Sequence, residues 1–273
     1  MLHPFRPLTT GLLMATVLLL SPAVRANVGI SPMVIETELR RGQAQGTITI
    51  RNTGENDFRA RVYTSPFTYD PETGIQFLES SPQDLTPYLQ FSPRELQVPG
   101  TNERRIRFIA RIPPSAPDGE YRAMIFTENL QATVQEEGDG DVRITTTIVP
   151  RIGVAVYVRK GDISHQLSAP QARYNPETQQ LQLLVENTGL ASVRVEGNWQ
   201  LRKDGETLYA GAGPAHTVIA ENSRYLTVDY RQTDDPENPL TLTPGTYELS
   251  GHLGSGVNFD SDRTPFRVTF TIP

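Results

Sequence analysis

Between Val142 and Val158 the apolar residues keep a strict two-residue beat. Val142, Ile144, Ile148, Ile152, Val154, Val156 and Val158 occupy even positions, broken only by Thr146 and Pro150. The odd positions are mostly polar or small, with Arg143, Thr145, Thr147, Arg151 and Gly153, and Val149, Ala155 and Tyr157 are the exceptions. Successive side chains of a strand point to opposite faces, so this pattern puts one apolar row on one face of a β-strand. Ordinary strands run about five or six residues, and a sandwich of about 100 residues cannot cover one face of a strand three times that length. Ile152 to Val158 is therefore expected in the core. Val142 to Ile148 is expected to overhang with its apolar row uncovered. Pro150 and Gly153 are expected to bend the strand between the two parts, since proline in a strand implies an edge or a bulge. An uncovered apolar edge is an aggregation hazard unless it is a binding site; the other reading is a long hairpin arm or packing against the chain's own acidic loop.

The rest of the chain after residue 26 is written in the same style. Thr47-Ile48-Thr49-Ile50 alternates, and so does Arg105 to Ile112, with Gly, Pro, Asn and Asp at short intervals between such runs. No segment of helical length carries an apolar stripe, and 22 prolines oppose long helices. Two motifs occur twice in the same order. Ile50-Arg51-Asn52-Thr53-Gly54 leads to Phe58-Arg59, and Val185-Glu186-Asn187-Thr188-Gly189 leads to Val193-Arg194. Farther along, Pro117-Asp118-Gly119-Glu120-Tyr121 is echoed by Pro244-Gly245-Thr246-Tyr247. A tyrosine entering a late strand is the corner residue of immunoglobulin-like sandwiches, whose hydroxyl ties back to upstream backbone. The expectation is an all-β chain of two tandem immunoglobulin-like β-sandwich domains, residues 27–159 and 164–273, with a hinge at 160–163. Glu79 to Pro87 reads as an ordered surface loop, and Gln135 to Asp141 as an acidic, glycine-rich one.

Residues 1–26 read as a cleaved export signal. Leu12 to Leu20 is apolar but too short to span a bilayer, which takes about 20 residues, and Val24-Arg25-Ala26 offers the small residues of a cleavage site. Loss of this segment removes Arg6 and Arg25 and no acid, so the net charge of −6 deepens to −8. An acidic chain repels phosphate backbones, which argues against nucleic acid, and no later run suggests membrane insertion. The absence of cysteine excludes thiol catalysis and thiolate metal sites.

Nothing else assembles a catalytic constellation. His165, His216 and His252 lie far from any serine and acid that would form a triad. Asp139-Gly140-Asp141 and Asp260-Ser261-Asp262 are oxygen-rich loops with the ligand type of Ca²⁺, though isolated pairs of this kind are commonly solvated turns. Trp199 reads as a core residue rather than a sugar-stacking platform. No catalytic residue, metal or cofactor is expected.

In the residues around the long strand the chain resembles the PapD-like periplasmic pilus-assembly chaperones. Ser31-Pro32-Met33-Val34-Ile35 sits where that family has its first strand, Asp118-Gly119-Glu120-Tyr121-Arg122 matches its penultimate strand, and Tyr157-Val158-Arg159 its strand end before the hinge. The resemblance implies two angled sandwiches, a periplasmic location, and completion of a client's unfinished sheet by an added edge strand. The client-binding side chains would be Val142, Ile144 and Ile148. Partners would be pilin-like or other secreted β-rich subunits, with an outer-membrane usher in the usher-linked form of the function. The family's first-strand Arg and last-strand Lys, which hold a client's terminal carboxylate, are replaced by Met33 and Gly153. Arg151 is the candidate substitute for that anchor. The alternatives are an immunoglobulin-like envelope or adhesion module and a carbohydrate-active enzyme or sugar-binding module.

Overall fold

The computed structural model describes residues 28–131, 133–137, 144–230, 240–255 and 263–273. Residues 1–26, expected to be an export signal, Val142 and both Asp-x-Asp loops lie outside them. The described residues form two immunoglobulin-like sandwiches in tandem.

In the first sandwich, β1 (Val28–Ser31), β3 (Gln43–Asn52), β9 (Glu103–Arg111) and β7 (Leu89–Ser92) make one sheet in the order β1-β3-β9-β7. The facing sheet runs β2-β13-β10-β4-β8, from Val34–Glu38, Arg151–Lys160, Gly119–Asn129, Phe58–Ser65 and Glu95–Val98. The N-terminal strand changes sheets at Ser31-Pro32: β1 pairs antiparallel with β3, and β2 then pairs parallel with β13. Ile48, Ile50, Ile106 and Phe108 from one sheet meet Ile125, Val154, Val156 and Val158 from the other. Two further hairpins project from this body: β5 (Phe67–Asp70) with β6 (Gly74–Phe77), and β11 (Thr133–Glu137) with β12 (Ile144–Ile148).

The second sandwich pairs β14 (Leu167–Asn175), β15 (Gln180–Asn187) and β18 (Asn222–Val228) against β17 (Glu206–Val218), β16 (Val193–Lys203), β19 (Gly245–Ser255) and β20 (Thr264–Ile272). Trp199 is buried in its core with Leu181, Leu183, Leu201 and Leu249.

The two repeated motifs do the same work in each sandwich. The Tyr121 hydroxyl donates to the Pro117 carbonyl at 2.9 Å, and the Tyr247 hydroxyl to that of Thr243 at 2.7 Å. Both asparagines of the Asn-Thr-Gly turns are buried. Asn52 Nδ2 donates to the carbonyls of Asn56 and Val98, and its Oδ1 accepts from the Gly54 amide. Asn187 Nδ2 donates to Ala191, while Oδ1 accepts from Gly189 and Gln166. One amide side chain thus satisfies the backbone of a loop that has no ladder partner, which buried polar groups require.

Two expectations need correction. The run from Val142 to Val158 is not one strand: Pro150 has no amide to give to a ladder, and the chain divides there into β12 and β13. The Val142–Ile148 half is accordingly no lone overhang but includes one leg of a hairpin arm. Nor is Glu79–Pro87 simply a surface loop. Leu85 is fully buried, and Gln83 and Leu85 pair through their backbones with Arg122 of β10.

Candidate functional site

β13 is paired unequally on its two sides. Against β10 the ladder is complete, from Gly119↔Lys160 to Glu128↔Arg151. Against β2 it covers only Ala155 to Arg159, ending where the Ala155 amide donates to the Met33 carbonyl. Among the described residues, Arg151 to Val154 therefore present an open edge. β12 continues it, since β12 pairs with β11 on one side and, among the described residues, with nothing on the other. The edge runs from Ile144 to Val154 with a single interruption at Val149-Pro150. Ile148 and Val149 are 40% and 47% exposed. Of the three expected client-binding residues, Ile144 and Ile148 lie on this edge and Val142 lies outside the described residues.

The outer face of β13 is not solvent, as the alternation of small and polar residues there would suggest. Ala155 and Tyr157 are buried in a cluster with Phe67, Met124, Phe126 and Ile219, the last belonging to the second sandwich. β13 is thus covered on both faces at its C-terminal end. The sequence signal for this was on its neighbour: Ala123-Met124-Ile125-Phe126 is an unbroken apolar run, the mark of a strand buried on both sides.

The same packing accounts for Gly153. A Cβ at that position would stand 2.7 Å from the Met124 side chain and 3.0 Å from the Phe126 ring. No side chain, lysine included, fits without displacing them. Met33 is half exposed beside the open edge.

Arg151 begins β13 on this outer face. Its guanidinium lies 4.8 Å from the Phe126 ring centroid and 5.3 Å from that of Phe77, and Nη1 donates to the Tyr63 hydroxyl at 3.3 Å. That hydroxyl in turn donates to Glu128 at 2.9 Å, and Glu128 also pairs with Arg61. The Tyr63 and Arg61 hydrogen bonds hold the Glu128 carboxyl below the ordinary carboxylate range. Arg151 is exposed, at the bend, but six residues from Tyr157, a distance of about 20 Å along the strand. It stands at the far end of β13 from the contact between the sandwiches.

That contact has its own polar centre, which the sequence did not reveal. Glu120 is buried and accepts from the Ser192 amide at 2.9 Å, from the Ser192 hydroxyl, and from Arg159 Nε at 3.3 Å. Arg159 closes the ring by donating to the Ser192 carbonyl at 2.7 Å. Arg122, beside it, is 4% exposed, and burial lowers its pKa. Among the described residues no group of three His, Asp or Glu is placed to hold a metal ion, and no helix is long and apolar enough to cross a membrane.

No family model matches the chain, and no curated protein does. Among solved structures it is similar to a chaperone–tip subunit pre-assembly complex of the archaic Csu pili of Acinetobacter baumannii, at 13% identity and a TM-score of 0.48 over 89% of this chain and 98% of that one. It is similar to the class 5 fimbriae chaperone CfaA, at 10% identity and 0.48 over 90% and 100%. The chaperone–tip adhesin complex of CFA/I fimbriae matches at 12% identity and 0.47 over 89% and 99%.

Proposed function

We propose that this chain is a periplasmic chaperone which holds secreted, β-rich subunits of the pilin kind by adding its open edge to their unfinished sheet. It catalyses nothing and needs no cofactor. The observation that carries the reading is the edge from Ile144 to Val154, unpaired among the described residues and rimmed by exposed Ile148, Val149 and Met33. Exposed edges of this length are blunted in proteins that do not use them.

The energetics require more than side chains. Burying Val142, Ile144 and Ile148 contributes roughly 5–9 kcal/mol, at about 1.5–3 each, while association costs about 4–15 kcal/mol. The backbone ladder must supply the remainder, with Arg151, the one Lys or Arg between Thr145 and Val158, as the candidate partner of a client carboxylate. In this reading residues 1–26 direct export and are removed, 27–159 form the client-holding sandwich, 160–163 the hinge, and 164–273 the second sandwich. An outer-membrane usher is the acceptor of the client in the usher-linked version.

The test is Ile148→Asp. Ile148 is exposed, so the melting temperature should stay within a degree or two. A soluble one-to-one complex captured from periplasmic extract by the unaltered chain, its partner identified by mass spectrometry, should be lost with the variant. A chain that pellets with the envelope instead, equally for both forms, would make it an envelope module and refute strand addition.

A further inference from the structure

The β5–β6 hairpin belongs to the first sandwich but ends on the second. Thr68 accepts a hydrogen bond from Asn222 at 3.3 Å, and the Arg224 guanidinium lies 4.5 Å from the Tyr69 ring centroid. At the tip, both oxygens of Glu72 are gripped by Arg173, at 2.7 and 2.8 Å. Arg173 is already set for this by its own sandwich: Nε donates to Gln182 at 2.8 Å and the guanidinium rests 3.6 Å from the Tyr225 ring centroid. A planar fork held in advance loses little freedom on meeting a carboxylate. At its far end the hairpin returns to β10, where Phe77 meets Phe126 edge-on at 5.1 Å.

What the hairpin covers is not comfortable. Phe67, its first residue, gives its carbonyl to Arg122 Nε at 3.3 Å, a long bond for a charged donor. Among the described residues Arg122 Nη1 is buried with no hydrogen-bond partner. The neighbouring carboxylates attract it through space but take their hydrogen bonds from other groups, Glu120 from Ser192 and Arg159, and Glu221 from Gln83 at 3.0 Å. A buried cation without its full complement of partners opposes the arrangement that buries it. The contacts at the hairpin tip, in contrast, are exposed and polar.

We propose that the β5–β6 hairpin is a strap with two positions, in which Glu72 and Arg173 form the latch and Arg122 supplies the force that lifts it. The structure shows the latched position. Lifting hydrates the Arg122 guanidinium and uncovers Phe126, Met124 and Tyr157, the apolar outer face that borders the open edge at Arg151 to Val154. The latched strap adds its contacts to the Glu120–Ser192–Arg159 ring in fixing the angle between the sandwiches; the lifted strap leaves that ring to hold it with fewer contacts. This device stands whether or not the edge takes a client, and its test uses the chain alone.

The chain has no cysteine, so Ile75→Cys on the strap and Glu177→Cys on the second sandwich, both exposed, accept spin labels cleanly. Pulsed electron paramagnetic resonance then reports the distance between them. The parent should give one narrow distribution. Glu72→Ala should raise a second, longer-distance population several-fold, and adding Arg122→Met should reduce it again. If Arg122→Met fails to fold, Arg122→Gln, uncharged but still hydrogen-bonding, carries the same expectation. A Glu72→Ala distribution identical to the parent would overturn the latch. A longer-distance population that grows when Arg122 loses its charge would overturn the lifting force.

Discussion

Gly153 stands directly opposite Phe126 across the β10–β13 ladder, and a methyl group added to it would come within 3.0 Å of that ring. The position where the resemblance leads one to expect a lysine is therefore closed here by the packing of Met124 and Phe126. Gly153→Lys should not create an anchor. It should destabilise the first sandwich by about 1–3 kcal/mol, the usual cost of overpacking, seen as an earlier first transition in calorimetry with the second unmoved. A stable Gly153→Lys chain with tighter client binding would show that the outer face is looser than described.

The corner tyrosines give a test of independence. Tyr121→Phe and Tyr247→Phe each remove one hydroxyl bond to upstream backbone, worth about 0.5–1.5 kcal/mol. Each should lower the melting of its own sandwich. A single transition that both substitutions shift equally would mean that Glu120, Ser192 and Ile219 weld the two bodies into one cooperative unit.

These corners, and the paired Asn-Thr-Gly turns, were legible in the sequence because each is a local device: a residue tied to backbone two or four positions away. The open edge was half legible. Alternation gave the strand and its apolar row, and Pro150 marked the break, but periodicity says nothing about what lies on the other face. That face is covered by Phe67 and Ile219, remote in sequence from Tyr157. The strap was invisible for the same reason, since Glu72 and Arg173 are 101 positions apart and neither carries a motif. Leu85 lay hidden because a segment rich in Ser, Pro and Asp looks like a loop even when one of its side chains enters the core.

Arg151 is engaged with Phe77, Phe126 and Tyr63 in the free chain, so it must either keep these contacts or exchange them when a client arrives. If it grips a terminal carboxylate, Arg151→Ala should weaken client binding at least tenfold, or about 1.4 kcal/mol. Amidating the client's C terminus should cost the same and add nothing to the variant. Additive losses in a binding titration would mean that the two groups never meet.

The latch should be sensitive to acid. Hydrogen bonds from Arg173 hold the Glu72 carboxyl below its ordinary value, against slight desolvation and the nearby charge of Asp70. A carboxylate whose pKa is depressed in the closed state favours that state fully above its free pKa of about 4.3, and the preference is lost as pH falls through the lowered value. The distance distribution between strap and second sandwich should hold from pH 7 to about 5 and broaden below 4. Glu72→Gln should broaden it already at pH 7 and remove the acid dependence. A transition centred between pH 6 and 7 would assign the change to another group.

The claim on which the account rests is that a client joins the edge from Ile144 to Val154, and hydrogen–deuterium exchange reads this directly. In the free chain, amides of that stretch that point away from β10 and β11 should exchange fast, while those of Ala155 to Arg159, already shielded by β2, exchange slowly. Binding the captured subunit should slow the first group by an order of magnitude or more and leave the second unchanged. Protection that appears only on the second sandwich, with residues 144–154 exchanging as before, would contradict strand addition.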